Sequence, residues 1–174
     1  KQALLLKKYF DIISIDELFN LPEGKIDGKV SITFDDGYKN IFNEILNELS
    51  KYSIPVTVFL IGNSLKNKPY WRDKIIFLLN NKKYLNEFIA FFNNENTIKL
   101  NNHNFFLETK NNHINSKILD ETLDKFLTDS KLYENININL ISNADELIKN
   151  KFITYGNHTL NHYVMSSLNY EEQK

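Results

Sequence analysis

The hydrophobic pattern near the N-terminus predicts a strand, a helix and a second strand in succession. A capping-box pattern at 14–17 first predicts a short helix. Residues 30–34 are rich in β-branched and aromatic side chains, which is typical of a buried strand. An apolar stripe at helical spacing follows at 41–49, and residues 56–61 predict a second buried strand after Pro55. Short connections between these elements favour a parallel βαβ unit.

Residues 62–140 differ in pattern and predict a helical insertion. Amphipathic stripes begin near Tyr70, Tyr84 and Ile118, and spans rich in asparagine and lysine separate them. Such stripes favour a packed helical subdomain over a disordered linker.

The last part of the chain, residues 141–174, is expected to return to the fold of the first part, residues 1–61. Residues 142–145 form a capping pattern that predicts a helix carrying Leu147 and Ile148. Residues 152–155 predict a third short strand.

Composition narrows the classes of protein that this chain can belong to. The chain has 174 residues, of which 42% are hydrophobic and 25% are charged, as expected for one soluble globular domain. A formal net charge of −1 gives no indication of a nucleic-acid partner or an anionic membrane surface. The absence of cysteine excludes disulfides and thiolate metal sites. No apolar run reaches the roughly 20 residues of a transmembrane helix. No signal peptide is recognisable, and because the chain begins at Lys1 we expect a fragment.

Candidate chemistry follows two of the predicted strands. Asp35 and Asp36 end the first strand, and Gly37 permits a sharp turn. Buried carboxylates are costly without a partner, and a metal ion is a natural partner for one of them. Side chains alternate between the faces of a regular strand, so the two aspartates are expected to have different roles. Farther along, His158 and His162 are spaced i, i+4, which one turn of helix would bring to the same face.

These two stretches resemble the sequence motifs of the polysaccharide deacetylases, the NodB-homology domain. Residues 33–37, Thr-Phe-Asp-Asp-Gly, resemble the first motif of that family. Residues 158–162, His-Thr-Leu-Asn-His, resemble its second motif, His-Ser/Thr-x-x-His. The resemblance covers about residues 10–174 and implies an α/β fold, a partial deformed (β/α) barrel of the NodB type with an α-helical insertion. The implied parts are 1–61, with the first motif, the insertion 62–140, and 141–174, with the second motif.

The resemblance also implies a catalytic metal centre. Asp36, His158 and His162 would hold one divalent ion, with zinc expected first and cobalt, nickel or iron as alternatives. Three protein ligands leave a position open for water, as in catalytic sites. Asp35 would be the general base, and Thr159 would orient the second motif by hydrogen bonding. The competing interpretation is a plain turn with surface histidines, and it requires both motifs to be coincidental.

The implied function is hydrolysis of N-acetyl groups from amino sugars of a polysaccharide or glycoconjugate, in the cell envelope or cytoplasm of a bacterium. Alternatives are a deformylase or O-deacetylase on the same fold, or a non-catalytic carbohydrate-binding relative. The family's later arginine and acid-histidine motifs do not follow His162, so weak activity and self-association are expected of this chain alone. Trp71 is interpreted as a core residue rather than a sugar contact, and His103 and His113 as solvated.

Overall fold

The computed structural model describes residues 1–174 as two compact units. We call the first the sheet unit; it comprises Lys1–Lys68 and Asn139–Leu160. We call the second the helical unit; it comprises Pro69–Ile138 and Asn161–Lys174. Helices and parallel sheets occur together in the chain, which confirms the predicted α/β class. None of the helices combines the length and the apolar character needed to cross a membrane.

The strands of the sheet unit form two parallel sheets. In chain order they are β1 (Asp11–Ile12), β2 (Lys29–Val30), β3 (Ile32–Phe34), β4 (Val56–Leu60) and β5 (Ile153–Asn157). The smaller sheet pairs β1 with β2, and the larger sheet has the order β3-β4-β5. The parallel pairing of β3 with β4 confirms the predicted βαβ unit.

The prediction of one buried strand at 30–34 is wrong, because the structure divides this run at Ser31. The Ser31 hydroxyl donates a hydrogen bond of 2.8 Å to the carbonyl of Ile13. Val30 pairs with Ile12 in the smaller sheet, whereas Ile32 begins β3 in the larger one. β3 is only partly buried along its length.

The sheet unit also contains six helical segments. They are α1 (Gln2–Leu6), α2 (Ile15–Phe19), a π-helical segment (Ile41–Leu46) that leads into α3 (Asn47–Lys51), and two 3₁₀ turns (Gly62–Lys66 and Ala144–Glu146). The capping box predicted for α2 is confirmed. The Ser14 hydroxyl accepts a hydrogen bond from the Glu17 amide at 3.1 Å, and the Glu17 carboxylate accepts one from the Ser14 amide at 2.9 Å.

The helix predicted after residues 142–145 is wrong in its length. Asn143 caps only the 3₁₀ turn Ala144–Glu146. Leu147 already has an extended backbone, with φ −71° and ψ 124°. Leu147 and Ile148 pack, partly buried, against the core of the sheet unit, so tertiary packing ends the helical turn at this point.

The core of the sheet unit lies between β4 and the helical segment that follows β3. Its buried members are Ile41, Phe42, Leu46, Leu49, Ile54, Val56, Val58, Leu60, Ile141 and Ile153. The apolar stripe predicted at 41–49 contributes the first four of these side chains, which confirms its interpretation as core packing. β4 is the central strand; its Thr57 is buried as well, and its Phe59 is partly buried.

The helical unit is built from four α-helices and short 3₁₀ turns. The α-helices are α4 (Trp71–Leu79), α5 (Lys82–Glu95), α6 (Phe105–Glu108) and α7 (Ser116–Asp129). The 3₁₀ turns are Tyr133–Asn135, Met165–Ser167 and Glu171–Gln173. The three predicted amphipathic stripes correspond to α4, α5 and α7. Phe88 lies at the centre of the packing, with ring centroids 5.5 to 6.0 Å from those of Phe92, Phe105 and Phe126.

A buried lysine joins two of these helices. The Lys74 ammonium of α4 lies 2.6 Å from Asp120 Oδ1 and 2.5 Å from Asp124 Oδ1, both on α7. Burial alone would lower the pKa of Lys74, but the two carboxylates outweigh burial and raise it above the ordinary lysine value. Burial also raises the pKa of the Asp120 carboxyl, and its attraction to Lys74 opposes that rise. The lysine is therefore held charged inside the unit.

Residues after Leu160 belong to the helical unit because side chains near the start of α7 hold them. The Val164 amide donates to the Ser116 hydroxyl at 3.0 Å, and the hydroxyls of Ser116 and Ser167 lie 2.9 Å apart. The Asn115 side-chain amide donates to the Glu172 carboxylate at 2.8 Å. The sequence predicts that residues 141–174 form one continuous part of the fold. In the structure, the boundary between the two units falls within this part, between residues 160 and 161.

We predict that Gly156→Ala destabilises the sheet unit. A Cβ at this position of β5 would lie 2.5 Å from two ring atoms of Phe59, its pairing neighbour on β4. Overpacking of this kind costs about 1–3 kcal/mol of unfolding free energy, measurable by urea denaturation. Phe59→Leu is the matched background, because it removes the ring. If Gly156→Ala costs as much in the Phe59→Leu background as in the wild-type protein, the ring is not the cause.

We predict that Lys74→Met lowers the unfolding free energy by about 3 kcal/mol, because two carboxylates lose their buried cation. This loss is at the low end of the usual range for breaking a buried ion pair, because the Asp124 side chain is 47% exposed. The matched control is Lys83→Met, which removes an exposed cation 3.9 Å from Glu87. Urea denaturation should show a large loss for the first variant and little change for the second. Equal effects of the two variants would contradict the prediction.

Candidate functional site

The turn after β3 places the two aspartates. The Gly37 amide donates to the Asp35 carbonyl at 2.8 Å, which closes a three-residue turn centred on Asp36. Asp36 has φ 69°, in the left-handed region that aspartate adopts more readily than most residues. Gly37 has φ 92°, and a Cβ there would lie 2.8 Å from Leu60 Cδ2. The backbone conformation therefore favours glycine at position 37, and a larger residue there would also have to displace the Leu60 side chain.

The two aspartates differ in environment, but for a different reason from the predicted one. Regular strand alternation cannot separate them, because β3 ends at Phe34 and both residues lie in the turn. The turn leaves Asp35 exposed and Asp36 partly buried. Within the sheet unit, it is the Asp36 carboxylate that lies beside His158, the first histidine of the second motif.

His158 follows the carboxyl end of β5 directly. Its amide donates to the Leu60 carbonyl at 2.8 Å, so the pairing of β5 with β4 continues into the motif. On the other side of β4, the Ile61 amide donates to the Asp36 carbonyl at 3.4 Å. The end of β4 thus fixes the backbone of both motifs.

Asp36 and His158 come together at this edge of the sheet. Asp36 Oδ1 lies 3.4 Å from His158 Nε2, and the two side chains are 19% and 28% exposed. This distance is long for a charge-assisted hydrogen bond. Two atoms that ligate a tetrahedral zinc ion at about 2.0–2.1 Å are about 3.3–3.4 Å apart. The spacing therefore fits a pair of metal ligands better than a direct ion pair.

The backbone between the two histidines is not helical, so the predicted helical turn at 158–162 is wrong. Thr159 and His162 have φ values of 65° and 54°, which a right-handed helix excludes. The Thr159 carbonyl accepts a hydrogen bond from the Gly62 amide at 3.0 Å. The Leu160 carbonyl accepts one from the Asn63 amide at 2.8 Å. These bonds hold the start of the motif against the turn that follows β4.

His162 lies in the helical unit, where two consecutive aromatic residues contact it. The Tyr70 hydroxyl lies 2.9 Å from His162 Nδ1, and the two rings meet edge to face. The Trp71 indole N–H donates to the His162 carbonyl at 3.3 Å. Trp71 is 1% exposed, which confirms its interpretation as a core residue. The Arg72 guanidinium stacks over the indole ring at 3.9 Å.

Tyr70 is the residue of this site that the sequence did not reveal. The pattern Tyr-Trp-Arg-Asp at 70–73 predicts only the start of a helix, and its contact with a residue 92 positions away is not local information. His103 and His113 are exposed, as predicted.

Comparison with known proteins agrees with the two motifs. The family model described as polysaccharide deacetylase matches residues 23–174, which include both of them. Searches of curated proteins and of solved structures found no match. Since the family model spans most of the sequence, the chain belongs to the polysaccharide deacetylase family.

Proposed function

We propose that this protein is a metal-dependent hydrolase that removes N-acetyl groups from amino sugars of a polysaccharide or glycoconjugate. Membership of the family supports a deacetylase-type hydrolase. The observation that carries the metal-dependent part is the 3.4 Å separation of Asp36 Oδ1 and His158 Nε2. The larger sheet, with its parallel order β3-β4-β5, would form part of a deformed barrel of the NodB type, and residues 62–140 would be its insertion.

The proposed ligands are Asp36, His158 and His162. One carboxylate and two imidazoles make up a donor set that could hold a metal ion. This donor set suits zinc, and also cobalt, nickel or iron. A bound ion would supply Lewis-acid activation of the amide carbonyl and of water.

Asp35 is the proposed general base. It is exposed beside the partly buried Asp36, where its carboxylate could take the proton of an attacking water. The water oxygen would add to the carbonyl carbon, and cleavage of the C–N bond would release acetate and the amino sugar. Thr159 would hold the second motif in place by hydrogen bonding.

Amide cleavage also needs a proton on the departing nitrogen, because an amine anion is too basic to leave. In the family this proton comes from a histidine of a later motif, and no residue among 1–174 matches that motif. A donor of this proton is therefore a further requirement of the proposed reaction, and rates of variants are compared at equal metal occupancy.

We predict that the protein binds one zinc ion and that His158→Ala and His162→Ala each weaken binding at least about tenfold. Each substitution removes one ligand, which isothermal titration calorimetry with zinc measures as a change in Kd. His113→Ala is the matched control, because this histidine is exposed and lies outside the motifs. Unchanged stoichiometry and affinity in both motif variants would rule out the proposed site.

We predict that the two aspartates separate in function. Asp35→Asn should retain zinc but lower the rate of acetate release from acetylated chito-oligosaccharides by about a hundredfold or more, since the base is lost. Asp36→Asn should weaken zinc binding itself, and the exposed Asp27→Asn serves as control. Equal loss of zinc in both motif variants would contradict this division of roles.

Faster release from N-formyl or O-acetyl sugars would assign a different acyl substrate to the same site.

A further inference from the structure

The contact between Tyr70 and His162 lies within the helical unit and bears on how the His162 imidazole is oriented. We propose that Tyr70 is a positioning residue that holds His162 in the tautomer and orientation required for ligation through Nε2. This inference rests on the proposed metal site and adds to it a residue outside both motifs.

The geometry of the tyrosine makes it a fixed partner. Tyr70 is 7% exposed and lies immediately before α4, where its backbone is extended (φ −65°, ψ 140°). The hydroxyl reaches His162 Nδ1 at 2.9 Å, an ordinary hydrogen-bond length. The ring planes of Tyr70 and His162 are inclined by 85°, so the hydroxyl approaches the edge of the imidazole. A buried ring thus presents its hydroxyl to one particular ring nitrogen.

The contact with Tyr70 bears on which ring nitrogen of His162 is available to a metal. A neutral imidazole carries one proton, and the nitrogen without it supplies the lone pair that a metal takes. Ligating histidines almost always donate their other N–H to an oxygen, which fixes the tautomer and the ring orientation. Here the Tyr70 oxygen would accept that bond from Nδ1–H, so a metal would be held through Nε2. His158 likewise faces the Asp36 carboxylate with Nε2.

The backbone of His162 is held by Trp71, which follows Tyr70 and is the first residue of α4. His162 has φ 54°, which is strained for a residue other than glycine. The Trp71 indole N–H donates to the His162 carbonyl at 3.3 Å, and the indole is fully buried. Tyr70 therefore holds the side chain of His162, and Trp71 holds its carbonyl.

Anchoring continues beyond the histidine. The Tyr163 hydroxyl donates to Asp120 Oδ2 at 2.9 Å, and the Val164 amide donates to the Ser116 hydroxyl at 3.0 Å, both on α7. The segment that starts at His162 is thus attached to α4 and to α7. Contacts from two helices can maintain a strained backbone that a loop alone would relax.

A purely structural role is the competing explanation, because a buried hydroxyl needs a hydrogen-bond partner wherever it lies. A structural role predicts that loss of the hydroxyl changes stability alone. A positioning role predicts that it changes the tautomer of His162 and the zinc affinity, with the fold retained.

The decisive variant is Tyr70→Phe, which removes the hydroxyl and keeps the ring. Nitrogen-15 NMR of the metal-free protein at about pH 8, where an ordinary histidine is neutral, identifies the protonated ring nitrogen of His162. We expect Nδ1–H in the wild-type protein and a smaller population of that tautomer in the variant. Zinc affinity in the variant should fall by about ten- to a hundredfold, the usual effect of losing such a partner.

The matched control is Tyr84→Phe. Tyr84 lies in the same unit, and its ring stacks on Phe77 with a centroid distance of 6.1 Å, a contact that phenylalanine keeps. This variant should leave the His162 tautomer and the zinc affinity unchanged.

Two results would overturn the inference. One is an Nε2–H tautomer of His162 in the wild-type protein, which needs no variant to observe. The other is a folded Tyr70→Phe protein whose tautomer and zinc affinity equal those of the wild type. Absence of zinc binding by the wild-type protein would instead refute the proposed metal site, and the NMR measurement on metal-free protein would still decide the role of Tyr70.

Discussion

Parallel pairing on both sides of β4 is the constraint on which the candidate site depends. Phe34 of β3 and Tyr155 of β5 both stand level with Val58 of β4, so the two parallel strands have their carboxyl ends at the same edge of the sheet. Asp36 and His158, which are far apart in the chain, thereby approach to 3.4 Å. Open parallel sheets commonly bind ligands beyond the carboxyl ends of their strands. This geometry gives Asp36 and His158 a common location in the sheet unit.

Backbone strain is concentrated in the same motifs. Six residues other than glycine have positive φ, and three of them are Asp36, Thr159 and His162. Such conformations cost on the order of 1–3 kcal/mol each and persist only where the surrounding structure fixes them. The cost is greatest for a β-branched residue such as Thr159. The hydrogen bonds from the turn after β4 and from the helical unit supply that fixation. Strain at these positions supports a functional role for the motifs, because selection for stability alone would favour glycine or asparagine there.

The helical unit combines an aromatic core with a buried ionic group. Burial raises the pKa of the Tyr163 hydroxyl, and the neighbouring Asp120 carboxylate raises it further, so this hydroxyl remains protonated and donates to Asp120. Asp120 in turn pairs with Lys74, which is 3% exposed. A buried ion pair of this kind contributes little net stability over an apolar alternative, but it fixes which groups are paired. Asp120 on α7 thus connects the segment that begins with His162 to Lys74 on α4.

Local sequence was enough to establish the α/β class, the βαβ unit, the cap at Ser14, the helical character of the middle of the chain and the two motifs. These features are local, because hydrophobic period, capping chemistry and motif spacing act over a few neighbouring residues. Long-range contacts set the division of the first strand at Ser31, the non-helical path through 158–162 and the pairing of Tyr70 with His162. Each of these depends on hydrogen bonds or packing between residues distant in the chain, which outweigh the local preference and leave no periodic signal in the sequence.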